Sequence, residues 1–181
     1  DANSALQLVS AIDSLTGLAN RRAFDEKLET EWINALRERS AISLILIDVD
    51  FFKQYNDRFG HPEGDVCLQR ISQALKGCVD GHRDLVARYG GEEIVLLCPG
   101  ITAAQTAVLA ELCRKKIEQM NIPHPESGIK DRVTISLGHV CIQPVNGMPY
   151  KNLICIADQA LYQAKQTGRN LSVQADYGRL K

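Results

Sequence analysis

Carboxylates gather at two places in this chain where chemistry could be done. Ile42-Ser43-Leu44-Ile45-Leu46-Ile47-Asp48-Val49-Asp50 is an apolar run that ends in two aspartates. Arg88-Tyr89-Gly90-Gly91-Glu92-Glu93-Ile94-Val95-Leu96-Leu97 joins two strand-like runs through a Gly-Gly pair followed at once by two glutamates. Charges at the end of a buried strand are costly unless they sit in water, pair with a cation or hold a metal. Side chains alternate along a strand, so Asp48 and Asp50 point to one side and Val49 to the other. If the two runs are neighbours in one sheet, Asp48, the Val49 carbonyl and Glu92 converge on one oxygen-lined point. That donor set suits a hard cation, Mg2+ (or Mn2+), which takes a few carboxylates and completes its shell with water and substrate phosphate. Gly90 and Gly91 suit a tight primed turn with positive φ, and without side chains they let a phosphate approach the backbone. A metal-bound triphosphate placed there is the arrangement used for phosphoryl or nucleotidyl transfer. Taken alone, the hairpin is equally a turn with solvated acids. The second acidic strand end is what points to a metal.

The rest of the composition narrows the setting. The 181 residues suit one well-buried domain, and 45% hydrophobic with 24% charged content is that of an ordinary soluble globular chain without repeats. A formal net charge of −1 leaves no electrostatic footprint for nucleic acid, so phosphate binding must come from a few placed cations or a metal. The six cysteines and four histidines lack paired ligand spacing, which predicts reduced buried thiols and histidines in surface or satisfied positions. No apolar run approaches the roughly 20 residues that span a bilayer, so a cytoplasmic domain without direct membrane insertion is expected. The lack of an initiator methionine predicts a piece of a longer protein, one that could be membrane-anchored through a missing N-terminal region.

The elements that must position the acids are legible as periodic runs. Residues 1–12 read as the end of an upstream connector helix, with Leu6, Val9 and Ile12 at three-residue intervals, and 175–181 as a C-terminal tail. Between them, 13–174 form the main domain. Asn20 is a fair N-cap for a helix over 21–39 with Phe24, Leu28, Trp32 (or Ile33), Ala35 and Leu36 inward. The run 42–49 predicts a central strand covered on both faces. Loop and short helix follow over 51–65, then a helix over 66–79 with Leu68, Ile71, Leu75 and Val79 inward. After the hairpin come a helix over 102–120 with Ala107, Leu109, Leu112 and Ile117 inward, a strand over 133–142, a helix over 153–167 and a short strand over 171–173. Helices interleaved with a hairpin-containing sheet predict an α+β fold, a ferredoxin-like or palm-like sheet that is mostly antiparallel, with the first strand beside the hairpin.

These motifs, in this order, resemble the GGDEF domain of diguanylate cyclases. The resemblance runs from Asp13-Ser14-Leu15-Thr16-Gly17-Leu18-Ala19-Asn20-Arg21-Arg22 through Asp48-Val49-Asp50-Phe51-Phe52-Lys53, Asn56-Asp57, Phe59-Gly60-His61 and Gly64-Asp65 to Arg88-Tyr89-Gly90-Gly91-Glu92-Glu93. It closes with Ala157-Asp158-Gln159-Ala160-Leu161-Tyr162-Gln163-Ala164-Lys165 and Gly168-Arg169-Asn170. It implies condensation of two GTP into cyclic di-GMP with release of pyrophosphate, at two half-sites facing one another in a homodimer, under an upstream sensory domain. Asp48, the Val49 carbonyl, Glu92 and Glu93 would serve the metal, with Glu92 also the base for the ribose hydroxyl and Lys53 steadying phosphate charge. Phe52, Gly90 and Gly91 would border the substrate, and Asn56 and Asp65 would read the guanine edge with His61 nearby. Lys165 and Arg169, four apart on one helix face, would clasp the terminal phosphates. Read without the other motifs, Asp65 is an N-cap, Asn56 a turn residue, and Lys165 with Arg169 a complement to a helix C-terminus. Ile94 stands where the family usually has phenylalanine, and Tyr55 is bulkier than its usual counterpart.

One family feature is altered. The resemblance implies an inhibitory product site with an Arg-x-x-Asp motif ahead of the hairpin, and this chain reads Gly81-His82-Arg83-Asp84. Asp84 is in register, but Gly81 offers neither charge nor a planar fork, so the site is expected to be lost. Two other functions remain open at this point. One is a GGDEF-like module that binds GTP or cyclic di-GMP without turnover to regulate a partner; the other is a single-substrate purine nucleotide cyclase.

Overall fold

A computed structural model describes residues 10–177. The elements are α1 (Arg21–Glu38), β1 (Ile42–Val49), α2 (Phe52–Phe59), α3 (His61–Lys76), β2 (Leu85–Arg88), β3 (Glu93–Pro99), α4 (Ala103–Gln119), β4 (Ile135–Ile142), α5 (Lys151–Gln166) and β5 (Ser172–Gln174). The sheet order is β2-β3-β1-β4-β5. β1 lies antiparallel between β3 and β4, and β5 adds a parallel edge beside β4. This is the expected α+β layout, with the first strand beside the hairpin.

β1 is central because its apolar run is continuous, and all eight of its residues are buried. Ile45, Ile47 and Val49 pack with Ile71 and Leu75 of α3 and Cys113 and Ile117 of α4. Leu44 and Leu46 face the other way, onto Phe24, Leu28 and Trp32 of α1 and Ala157 and Leu161 of α5. By alternation Asp48 belongs to that second face, beneath α5. Gly138 on β4 lets α5 come very close: a Cβ there would lie 2.2 Å from both the Ala157 carbonyl oxygen and the Leu161 nitrogen.

Several expectations are corrected. In α1 Trp32 is inward as expected and the alternative Ile33 is exposed, but Glu31 is also buried among the apolar residues. α3 begins at His61, not at 66: Gly60, at φ +89°, turns the chain out of α2, and Pro62 suits the first turn of the next helix. Asp65 therefore stands inside the helix and does not cap it. The inward stripe of α4 is Thr106, Ala110, Cys113 and Ile117, and Leu112 is half exposed. The Thr106 hydroxyl, 2.7 Å from the buried Ser43 hydroxyl of β1, fixes that rotation. Of the cysteines, Cys67, Cys98 and Cys113 are buried but Cys155 is exposed. His124 and His139 are buried, and neither is fully satisfied, since each leaves its Nδ1 without a hydrogen-bond partner. Most of the expected connector helix lies outside the described residues, and Ser10, Ala11 and Ile12 are not helical. In the expected tail, Ala175 donates its N–H to the His139 carbonyl at 2.8 Å, extending the edge beside β4.

Candidate active site

The link between β2 and β3 is wider than a two-residue primed turn. The N–H groups of Tyr89 and Gly90 both donate to the Glu93 carbonyl, at 2.8 and 3.3 Å. Neither Gly90 nor Gly91 takes a positive φ. A Cβ at 90 would meet Glu93 Oε2 at 2.7 Å, so a side chain there would displace the end of Glu93. Arg88 shapes the loop from within: its guanidinium donates to the carbonyls of Gly90 (3.1 Å) and Gly91 (2.9 Å) and pairs with Asp13 at 3.3 Å.

Asp48, Val49, Phe52, Lys53, Glu92, Lys165 and Arg169 border one hollow of about 230 Å³. A larger one, about 410 Å³, lies beneath the Gly81–Asp84 turn, so donor chemistry and not size singles out the first. The aim of the Val49 carbonyl follows from peptide geometry. The Asp50 N–H donates to Thr134 O on the β4 side at 3.0 Å. In a trans peptide the carbonyl points opposite to the N–H, so the Val49 oxygen faces the β3 side, where Glu92 stands. Asp50 itself is consumed by structure. Its carboxylate accepts from the hydroxyls of Thr134 (2.7 Å) and Ser136 (2.6 Å) and from the Asn170 N–H (3.0 Å), which ties the end of β1 to β4 and to the chain leaving α5.

Lys53, Lys165 and Arg169 share the hollow with its carboxylates, yet burial dominates how Asp48 and Glu92 titrate. Burial pushes the Asp48 carboxyl above its ordinary pKa, although Lys165 Nζ sits 3.0 Å from its Oδ2 and pulls the other way. Burial and then repulsion from Asp48 push Glu92 up as well. Glu93, opposite Asp48 in the sheet register, is raised by the same two causes, but it is not among the residues bordering the hollow.

The expected base-reading residues lie apart from this hollow, at the α2–α3 junction. Asn56 packs so tightly on Gly64 that a Cβ at 64 would fall 1.8 Å from Asn56 Oδ1. That oxygen is buried without a hydrogen-bond partner. Asp65, the next residue along α3, is exposed, as is His61 at the helix start.

A family model described as "Diguanylate cyclase, GGDEF domain" matches residues 10–171. The chain belongs to the GGDEF domain family. Among curated relatives it is similar to "Probable diguanylate cyclase DgcT" of Escherichia coli, 35% identical across 96% of this chain and 38% of that protein. It is also similar to "Diguanylate cyclase A" of Treponema denticola, 36% identical across 93% of this chain and 45% of that protein. The chain thus spans less than half the length of either relative. Among solved structures, the GGDEF domain of DgcB from Caulobacter crescentus in complex with c-di-GMP superposes with a TM-score of 0.83 at 30% identity, covering 93% of this chain and 98% of that one.

In this GGDEF domain the donors fit a hard divalent ion. The Asp48 and Glu92 carboxylates and the Val49 carbonyl border one hollow beside the hydrogen-bonded Asp50, and a cation would offset the burial that, more than repulsion, raises the pKa of Asp48 and Glu92. Among the described residues no three of Asp, Glu, His and Cys converge to hold an ion by themselves, so water and substrate oxygens must complete the shell.

The altered turn of this GGDEF domain is closed on itself. Gly81 N–H donates to Asp84 Oδ2 at 3.0 Å, and Asp84 N–H to the Gly81 carbonyl at 3.1 Å. Arg83 turns away to α1, where its Nε lies 2.9 Å from Glu31 Oε2 and its Nη1 3.3 Å from Glu38. Sequence reasoning gave no role to Asp50, Arg88 or Gly138. Thr134 and Ser136, two hydroxyls on one face of a strand, were the available signal for Asp50, but only the sheet register reveals that they face it.

No helix among the described residues is long and apolar enough to cross a membrane.

Proposed function

We propose that this GGDEF domain condenses two GTP into cyclic di-GMP, releasing one pyrophosphate for each phosphodiester formed. The observation that carries the reading is the shared hollow, in which Asp48, the Val49 carbonyl and Glu92 face three cations, Lys53, Lys165 and Arg169. Mg2+ or Mn2+ bound by Asp48, the Val49 carbonyl and Glu92, with Glu93 in support, would supply charge neutralisation for the triphosphate. Glu92 accepts the proton of the attacking ribose 3′-hydroxyl, a role favoured by its raised pKa and weakened by any metal it also binds. Lys53 stabilises phosphate charge as the bond to pyrophosphate breaks. Lys165, held by Asp48 before substrate arrives, turns with Arg169 to the terminal phosphates. Phe52, Gly90 and Gly91 border the nucleotide. Asn56 Oδ1 awaits a donor, which the guanine edge supplies, while Asp65 accepts from the guanine N1–H and amino group, with His61 beside them.

Two GTP and a two-fold symmetric product require two such sites to face each other, so the working form is a homodimer under an upstream sensory domain, in the cytoplasm. Feedback through the Gly81–Asp84 turn is weak or absent. The test is pyrophosphate release from GTP and Mg2+ with mass analysis of the product across a dilution series. Cyclic di-GMP formed at a rate rising faster than linearly with protein is expected. Binding without pyrophosphate would mark a regulatory module, and a cyclic monophosphate a single-substrate cyclase.

A further inference from the structure

Phe51, between β1 and α2, adopts the left-handed conformation at φ 52°, ψ 36°. That conformation is costly for a bulky residue and persists only where surrounding groups hold it. Two donors meet the Phe51 carbonyl: the Tyr55 N–H at 3.1 Å, which is a bond of α2 itself, and His124 Nε2 at 3.0 Å. His124 comes from the segment between α4 and β4, is fully buried, and sets its ring edge-on to Tyr55 with centroids 5.3 Å apart. Because a carbonyl only accepts, Nε2 must carry the ring hydrogen. Nδ1 is then a buried acceptor with no partner, so this histidine is not placed for its own hydrogen-bonding balance. What it holds is the turn whose two sides carry Val49 and Lys53, both on the rim of the hollow.

We propose that His124 is a positioning residue for the nucleotidyl transfer assigned above: its Nε2–H fixes the left-handed Phe51 turn and thereby aims the Val49 carbonyl and Lys53 at the hollow. The inference rests on that reading of the hollow. His124 touches no reacting atom; it acts through the backbone of residues 49–53. Arg169, stacked 4.4 Å over the Phe51 ring, presses the same turn from the α5 side.

The experiment compares His124→Leu, which keeps bulk and removes the donor, with His124→Gln, whose amide N–H can still reach the carbonyl. Leucine should lower kcat on the order of tenfold to a hundredfold, the scale of small misplacements in a positioned site, with KM for GTP within about threefold. Glutamine should restore most of the rate. Mn2+ binding followed by electron paramagnetic resonance without nucleotide should weaken in the leucine variant and recover in the glutamine variant, because the Val49 oxygen drifts only when the donor is gone. A leucine variant with unaltered kcat and Mn2+ affinity would overturn the inference, whatever happens to its melting temperature. Should the leucine variant not fold, ¹⁵N imidazole shifts of the unaltered domain decide: a tautomer protonated at Nδ1 is incompatible with the bond to Phe51. If the unaltered domain binds Mn2+ but forms no cyclic di-GMP, the catalytic reading fails alone, and the Mn2+ comparison still tests His124.

Discussion

Two acidic regions of this GGDEF domain treat charge in opposite ways. In the hollow under α5, burial above all pushes the Asp48 and Glu92 carboxyls up, with weaker repulsion from Asp50 on Asp48 and from Asp48 on Glu92, and Lys165 is the only side chain that pairs with Asp48 among the described residues. Behind the hairpin, Glu31 is buried but fully matched: Arg83 and Lys27 both reach it, and they outweigh the burial that would raise its pKa, leaving it lowered. Asp84 likewise returns its carboxylate to its own turn. Acids closed on protein partners hold the fold together. Acids whose burial outweighs the help of their cationic neighbours have room for a metal from solvent, and the difference separates a site from a strut.

The sharpest way to break this comparison is to neutralise the open acids. Asp48→Asn or Glu92→Gln should cost about a hundredfold to a thousandfold in rate, as loss of a transition-state electrostatic group commonly does. The melting temperature should hold or rise, because each change removes a charge that burial disfavours, which for Asp48 outweighs the Lys165 ion pair. Cyclic di-GMP formation at the unaltered rate in either variant would remove that acid from the chemistry.

Next in size is Gly138→Ala. The added Cβ would sit 2.2 Å from backbone atoms of Ala157 and Leu161, and backbone cannot swing aside as a side-chain end does. α5 must lift off β4, at a cost of about 1–3 kcal/mol or more for an overpacked core. Lys165 and Arg169 move with α5 or its exit, so KM for GTP should rise alongside the loss measured by urea denaturation. Unchanged stability would mean that the helix has slack the contacts do not suggest.

The fold was largely legible from periodicity. β1 announced itself as central by having no polar side, and its place beside the hairpin followed from element order. The spatial partners of individual side chains were not legible. Glu31 reads as a surface residue beside Trp32, because nothing in α1 reveals that Arg83, 52 positions later, reaches it. Gly90 and Gly91 suggested positive φ, which neither adopts; a Cβ at 90 would meet only the movable end of the Glu93 side chain. Asp48 and Asp50 look alike in the sequence and both border the hollow, yet two hydroxyls and an N–H from distant segments occupy Asp50, while Asp48 has only Lys165 as a side-chain partner among the described residues.

Opening the closed region gives the third test. Arg83→Ala leaves the enclosed Glu31 with Lys27, and the loss should be about 1–3 kcal/mol, with kcat per folded molecule unaltered. The pH dependence has a fixed sign. Glu31 is lowered from 4.5, so its contribution is complete above the ordinary carboxylate range and disappears as pH falls through the depressed value. The stability gap between the unaltered domain and Glu31→Gln should therefore be constant near neutrality and close in acid. A gap that widens in acid would reverse the assignment.

The smallest effect belongs to the Gly81–Asp84 turn. A Cβ at Gly81 would meet Asp84 Oδ2 at 2.4 Å and Cγ at 2.7 Å, so Gly81→Arg requires the carboxylate to leave the Gly81 N–H it now accepts from. Losing that exposed hydrogen bond should cost only about 0.5–1.5 kcal/mol, and Asp84→Ala should cost the same. The binding consequences should differ. In the unaltered domain Arg83 is committed to Glu31 and Glu38, leaving no guanidinium beside Asp84, so calorimetric titration with cyclic di-GMP should show no tight binding at this turn and progress curves no inhibition through it. In Gly81→Arg the displaced carboxylate and the new guanidinium both face outward, a planar fork beside an acceptor, and product binding with non-competitive inhibition should appear. Tight binding by the unaltered domain that disappears in Asp84→Ala would show that Arg83 abandons α1 for the product, and the turn would then belong with the open acids of the hollow.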